Sequence, residues 1–159
     1  MTTSNRSRTR VAGAERDRGA VLVEFAILAL PLFIILFGII EFGNAYSQNL
    51  EVRHGAREGS RLVAVNYQPS AAVGATQTDL IRAEVCDRMG ASSTTSVQFL
   101  QTGSAAGTGR ATVIVERPLQ QLTQFLDPFL GGVVLSSEVE TRLEQDASWA
   151  PDATPEPCP

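Results

Sequence analysis

The sequence predicts an α+β fold: a long N-terminal helix crosses a membrane and continues beyond it, and a small antiparallel sheet with short helices follows. Three observations carry this expectation. Residues 20–40 are apolar apart from Glu24. Small and apolar residues then recur at spacings of three and four as far as Val63, and from Val97 onward the pattern turns to alternation.

The apolar run comes first. At about 1.5 Å of helical rise per residue, its 21 residues are long enough for the roughly 30 Å hydrocarbon core of a bilayer. Before it stand Arg6, Arg8, Arg10, Arg16 and Arg18 against Glu15 and Asp17, a balance of +3, whereas the remainder of the chain carries −7 of the total −4. The positive-inside rule keeps the basic end in the cytoplasm and sends the acidic bulk outside. A secretory signal with cleavage near Gly43-Asn44-Ala45 is the competing reading, but the run exceeds a signal core of about 7 to 15 residues and the helical pattern continues through that site. The expected organisation is a cytoplasmic basic leader (1–19), a transmembrane helix (20–40), an amphipathic helix extension (41–66), a small α+β ectodomain (67–146) and a disordered proline-rich tail (147–159).

Within the run, Glu24 demands a reason, because an ionised carboxylate near the bilayer centre costs about 3 kcal/mol. Pro31 removes one helical hydrogen bond and bends the axis, which membrane helices tolerate. Gly38 is expected to let a neighbouring helix approach closely. Past the membrane, the stripe Phe42, Ala45, Asn49, Val52, Ala56, Gly59 and Val63 forms the packing face. Gly55, Ala56, Gly59 and Ser60 let another backbone come near, and Arg53, Arg57 and Arg61 make an i,i+4 row on a different face, with Glu58 softening the charge.

Residues 68–77 read as a linker. A second helix begins near Thr78, capped by Thr76 or Thr78 with Asp79 in its first turn, carries Ile81, Val85 and Met89, and stops at Gly90. Val97 and Phe99, then Ala111, Val113 and Val115, alternate on either side of a glycine-rich turn at 102–109, as a hairpin does. Leu119, Leu122, Phe125, Leu126 and Phe129 form a short apolar helical face. It is expected to join the core, the alternative being a patch that rests on the membrane or a partner. From Val133 to Glu144, Val139, Thr141 and Leu143 alternate with Glu138, Glu140, Arg142 and Glu144, as in a half-exposed strand. For Cys86 and Cys158 the sequence leaves open an intrachain disulfide, an intermolecular bond or two free thiols.

The segment Arg18-Gly19-Ala20-Val21-Leu22-Val23-Glu24-Phe25 resembles the prepilin-peptidase site of type IV pilin-like proteins: a basic leader, a glycine, a glutamate five residues later and an aromatic after it. Together with Phe37-Gly38-Ile39-Ile40-Glu41-Phe42-Gly43 and Ala56-Arg57-Glu58-Gly59-Ser60-Arg61, it is similar to the TadE-like family of tight-adherence (Flp-type) pilus assembly pseudopilins. The resemblance implies a pilin-like architecture and cleavage between Gly19 and Ala20, with Glu24 and Phe25 serving processing or assembly. By the same resemblance the implied partners are a prepilin peptidase, other pilin-like subunits, the pilus assembly platform and the lipid bilayer. The implied location is the bacterial cell membrane, single-pass, with the N-terminus cytoplasmic and the C-terminal domain extracytoplasmic, as part of a cell-surface assembly. Whether Glu24 acts within one chain, on a neighbour's terminal amine or in peptidase recognition stays open.

The rest of the composition narrows the function class. The acidic ectodomain offers no basic surface for nucleic acid. His54 is the single histidine, so a histidine metal pair is excluded and a catalytic base would stand alone. No C-x-x-C motif occurs, and no P-loop lysine follows Gly107 and Gly109. The expectation is a non-enzymatic assembly protein with no cofactor and no small-molecule substrate. The alternative is an unprocessed single-pass membrane protein whose ectodomain binds an envelope partner.

Overall fold

A computed structural model describes residues 11–69, 75–123 and 126–159, with side chains from Gly19 onward. The elements are α1 (Val11–Ala64), α2 (Gln77–Arg88), β1 (Ser96–Thr102), β2 (Arg110–Pro118), α3 (Asp127–Leu130), β3 (Val134–Arg142) and β4 (Glu156–Pro157). The fold is α+β, as the sequence predicts. The chain divides into two compact units, one ending at Ile40 and the other comprising Glu41–Pro159.

The first unit is helical, and its apolar side chains are solvent-facing in the isolated chain: Leu22, Phe25, Ile27, Leu30 and Ile39 are all exposed. A helix with no buried stripe has no protein core to serve, and its mean hydropathy of 2.8 fits a lipid environment instead. The aromatic rings of Phe33 and Phe37 lie 6.3 Å apart, one turn removed. Pro31 sits inside the helix, where it leaves the carbonyl of Ile27 without its usual amide donor.

The second unit is built on a four-stranded antiparallel sheet in the order β3-β2-β1-β4. Register follows the alternation: Phe99 lies opposite Val113, and Val113 opposite Val139. Val97, Phe99, Ala111, Val113 and Val115 all point into the core, where α1 contributes Val52, Ala56 and Val63 and α2 contributes Ile81, Val85 and Met89. Gly59 sets how closely these layers approach. A β-carbon there would stand 3.0 Å from Val113 Cγ1 and 3.4 Å from Val85 Cγ2. α2 starts in a capping box, in which the Thr76 hydroxyl accepts from the Asp79 amide and the Asp79 carboxylate accepts from the Thr76 amide. It stops at Gly90, whose φ of 59° falls in the left-handed region that glycine tolerates.

Three expectations are corrected. The tail at 147–159 is ordered. Trp149 is buried against Phe99 and donates from Nε1 to the Val63 carbonyl, Asp152 accepts from the Phe99 amide and from Arg82, and β4 pairs with β1. Its four prolines lower the entropy of an extended strap rather than preventing one, and a two-residue edge strand is where proline is tolerated. The Cys86 and Cys158 sulfurs are bonded, which closes the end of this strap onto α2.

Second, the apolar face after Pro118 does not enter the core: Leu122 is 66% and Phe129 81% exposed, and the helix shrinks to the four residues of α3. Phe125 lies outside the described residues, as do residues 70–74 of the linker. Third, the packing stripe of α1 begins at Glu41 and not at Phe42, which is exposed. Val52, Ala56, Gly59 and Val63 are buried as the stripe requires, so only its first position moves, by one residue or about 100°.

Candidate functional site

Four polar residues on one face of α1, Glu41, Asn44, Gln48 and Glu51, are spaced by three, four and three. On a helix that spacing aligns them, and each bonds to the same antiparallel stretch of chain, residues 117–123 at the end of β2 and beyond. The Glu41 carboxylate, with no solvent exposure, accepts from the Leu122 amide (3.0 Å), the Thr123 amide (3.0 Å) and the Thr123 hydroxyl (3.0 Å). Asn44 Nδ2 donates to the Gln120 carbonyl at 2.7 Å. Gln48 closes a pair with the same residue, Nε2 donating to its carbonyl and Oε1 accepting from its amide. Glu51 accepts from Arg117 Nη1 at 2.6 Å, and Arg117 Nε donates to the buried Thr95 hydroxyl.

This ladder does the work that a second strand would do. Residues 120–123 leave the sheet after Pro118, so their amides and carbonyls have no strand partner and need others. The helix supplies them from side chains. Burial of the Glu41 carboxylate pushes its pKa up, but the hydroxyl and the two amides that donate to it outweigh this and hold it below the ordinary carboxylate range. The connection is therefore held by an ionised group just past the apolar run.

The residues singled out from the sequence separate into two groups. Gly19, Ala20, Glu24 and Phe25 are helical and exposed, and nothing lies within 4 Å of a β-carbon built on Gly19. Gly38 is likewise open. Ala56 and Gly59, expected to let another backbone come near, lie inside the chain's own core, where Gly59 faces Val113 of β2 and Val85 of α2. Cys86 and Cys158 join the tail to α2. Arg53, Arg57, Arg61 and His54 are exposed, and none of them makes an ion pair among the described residues. Glu58 turns instead to Arg88 of α2.

Sequence reasoning missed the ladder. Its signal was present in the spacing 41, 44, 48, 51, but polar residues at core spacing read as a break in an apolar stripe unless their partners are known. Among the described residues, no cluster of three or more His, Cys, Asp or Glu side chains is arranged to hold a metal ion.

No curated protein and no solved structure matches the chain. Residues 19–61, from the glycine before the apolar run to the last arginine of the exposed row and including all four rungs of the ladder, match the family model described as TadE-like protein, the family this stretch resembles in sequence.

Proposed function

We propose that the protein is a membrane-anchored pseudopilin that serves assembly of a tight-adherence pilus and is processed between Gly19 and Ala20 by a prepilin peptidase. The observation that carries this reading is the extent of the family match, which starts at the glycine of the peptidase pattern and runs through the apolar helix into the helix extension beyond it. In this reading Glu24 and Phe25 mark the mature N-terminus for recognition or pair with a neighbouring subunit. Gly38, open in the single chain, receives a neighbouring helix. The Gly19–Ala20 bond lies within α1, so cleavage requires the first turns to unwind into an extended substrate, and glycine is the residue that weakens a helix there. The Cys86–Cys158 disulfide suits an oxidising compartment, which supports an extracytoplasmic second unit. The implied partners are the peptidase, other pilin-like subunits and the assembly platform, and the work is packing rather than catalysis.

N-terminal sequencing with intact mass, on protein taken from membranes that hold the native secretion machinery, tests this. Wild type is expected to begin at Ala20, and Gly19→Leu to keep its leader and abolish piliation. A wild-type chain that retains its leader, with piliation unchanged in Gly19→Leu, would establish the unprocessed single-pass binding protein instead.

A further inference from the structure

The connection from β2 to β3 combines two properties that usually exclude each other. Its backbone is held inward, with the Gln120, Leu122 and Thr123 amides and the Gln120 carbonyl bonded to Gln48, Glu41 and Asn44. Two of its large apolar side chains point outward, Leu122 at 66% and Phe129 at 81% exposed, while Leu119, Leu126 and Leu130 are half-buried. Gln121 Nε2 lies 3.4 Å from Asp127 Oδ1, which ties α3 to the held stretch. On α1, Phe42 and Tyr46 stand one turn apart and are also exposed, at 75% and 60%. In water this arrangement wastes apolar surface. At a lipid interface it is what a connecting segment requires, since the Gln120, Leu122 and Thr123 amides are already bonded within the protein and large apolar and aromatic side chains are among those that face outward.

Chain continuity says which surface is within reach. Glu41 directly follows Ile40, the last residue of the apolar run, and Leu122 is bonded to Glu41. Phe42 and Tyr46 follow within six residues, about 9 Å at helical rise. The polar headgroup layer is about 6 Å deep on each side of the hydrocarbon, so these side chains fall at or next to it. We propose that Leu122 and Phe129, with Phe42 and Tyr46, form an interfacial anchor that seats the second unit on the extracytoplasmic lipid–water boundary. None of the four is basic and Asp127 adjoins Phe129, so the seat depends on apolar burial and not on anionic headgroups. The inference rests on the membrane span alone and holds whether or not the chain is cut after Gly19, so its failure would leave the pilus reading intact.

Phe129→Trp in the full chain, reconstituted in nanodiscs of phosphatidylcholine with or without bromine on the upper acyl chain, reads this directly. The native Trp149 is buried and supplies a constant background. The introduced Trp emission is expected to fall about twofold in brominated lipid and to be shielded from iodide, with no change when anionic lipid is added. Leu100→Trp, on β1, is expected to respond to iodide and not to bromine. Leu122→Trp repeats the measurement should Phe129→Trp fail to fold. Equal emission in both lipids with free access to iodide overturns the proposal. So does iodide shielding without bromine quenching that strengthens with protein density, because that result assigns the patch to a second copy of the chain.

Discussion

Two stretches of the same helix hold the second unit together by opposite means. From Val52 to Val63, α1 meets the sheet and α2 through small and apolar residues, with Gly59 bringing the layers close enough to exclude water. From Glu41 to Glu51 it meets residues 117–123 through a ladder of hydrogen bonds and one ion pair. The first contact is non-directional and its strength grows with area. The second is directional and fixes which residue faces which, but its net stability is small because water competes for the same groups. The difference teaches that this helix supplies stability at one end and register at the other. The register end is the one next to the apolar run.

The comparison predicts large, global effects from changes in the apolar half and small, local ones from changes in the polar half. Breaking the Cys86–Cys158 bond should be the largest. Freeing a loop of sequence separation 72 costs about 4 kcal/mol in the chain-entropy account, and denaturant unfolding of the oxidised and reduced full chain measures it. Gly59→Val comes next. Its branched side chain has no room beside Val113 and Val85, and overpacking of this kind costs about 2 kcal/mol, read as a lower unfolding midpoint with the same denaturant slope. Thr95→Val keeps the shape but leaves Arg117 Nε without its acceptor, at a cost of about 1.5 kcal/mol, and should loosen residues 117–123 before the core. An equal loss of protection across the whole sheet in that variant would erase the distinction between the two halves.

How much of this was legible in the sequence depended on distance along the chain. The capping box at Thr76 and Asp79, the alternation in β1 and β2 and the small residues at Ala56 and Gly59 are local patterns, and periodicity finds them. Glu41 and Thr123 are far apart in sequence, and a lone acid beside an apolar run says nothing about which amides it will meet. The ordered tail failed for the same reason. Its composition describes a flexible strap, while its conformation is set by the Trp149, Asp152 and Cys158 contacts with distant elements. The exposure of Leu122 and Phe129 was misread because a hydrophobic face was assumed to have a protein partner. Among the candidate site residues, the stretch from Gly19 through Glu24 that the family model covers could be compared with a family because it is contiguous, and the ladder was not legible because half of it lies in another segment.

The polar half is a separately held element that depends on an ionised Glu41. A carboxylate whose folded pKa is depressed contributes stability that is fully present above the ordinary carboxylate range and is lost as pH falls through the folded value. Amide hydrogen exchange at Leu122 and Thr123, corrected for the intrinsic effect of pH and compared with Phe99 and Val113, measures this directly on the wild-type chain and on Glu41→Gln. The prediction is that Leu122 and Thr123 lose protection as pH falls through and below the carboxylate range, and lose it at neutral pH in Glu41→Gln, while Phe99 and Val113 keep theirs. Protection at all four amides that changes together, or Leu122 and Thr123 unaffected by the substitution, would contradict it.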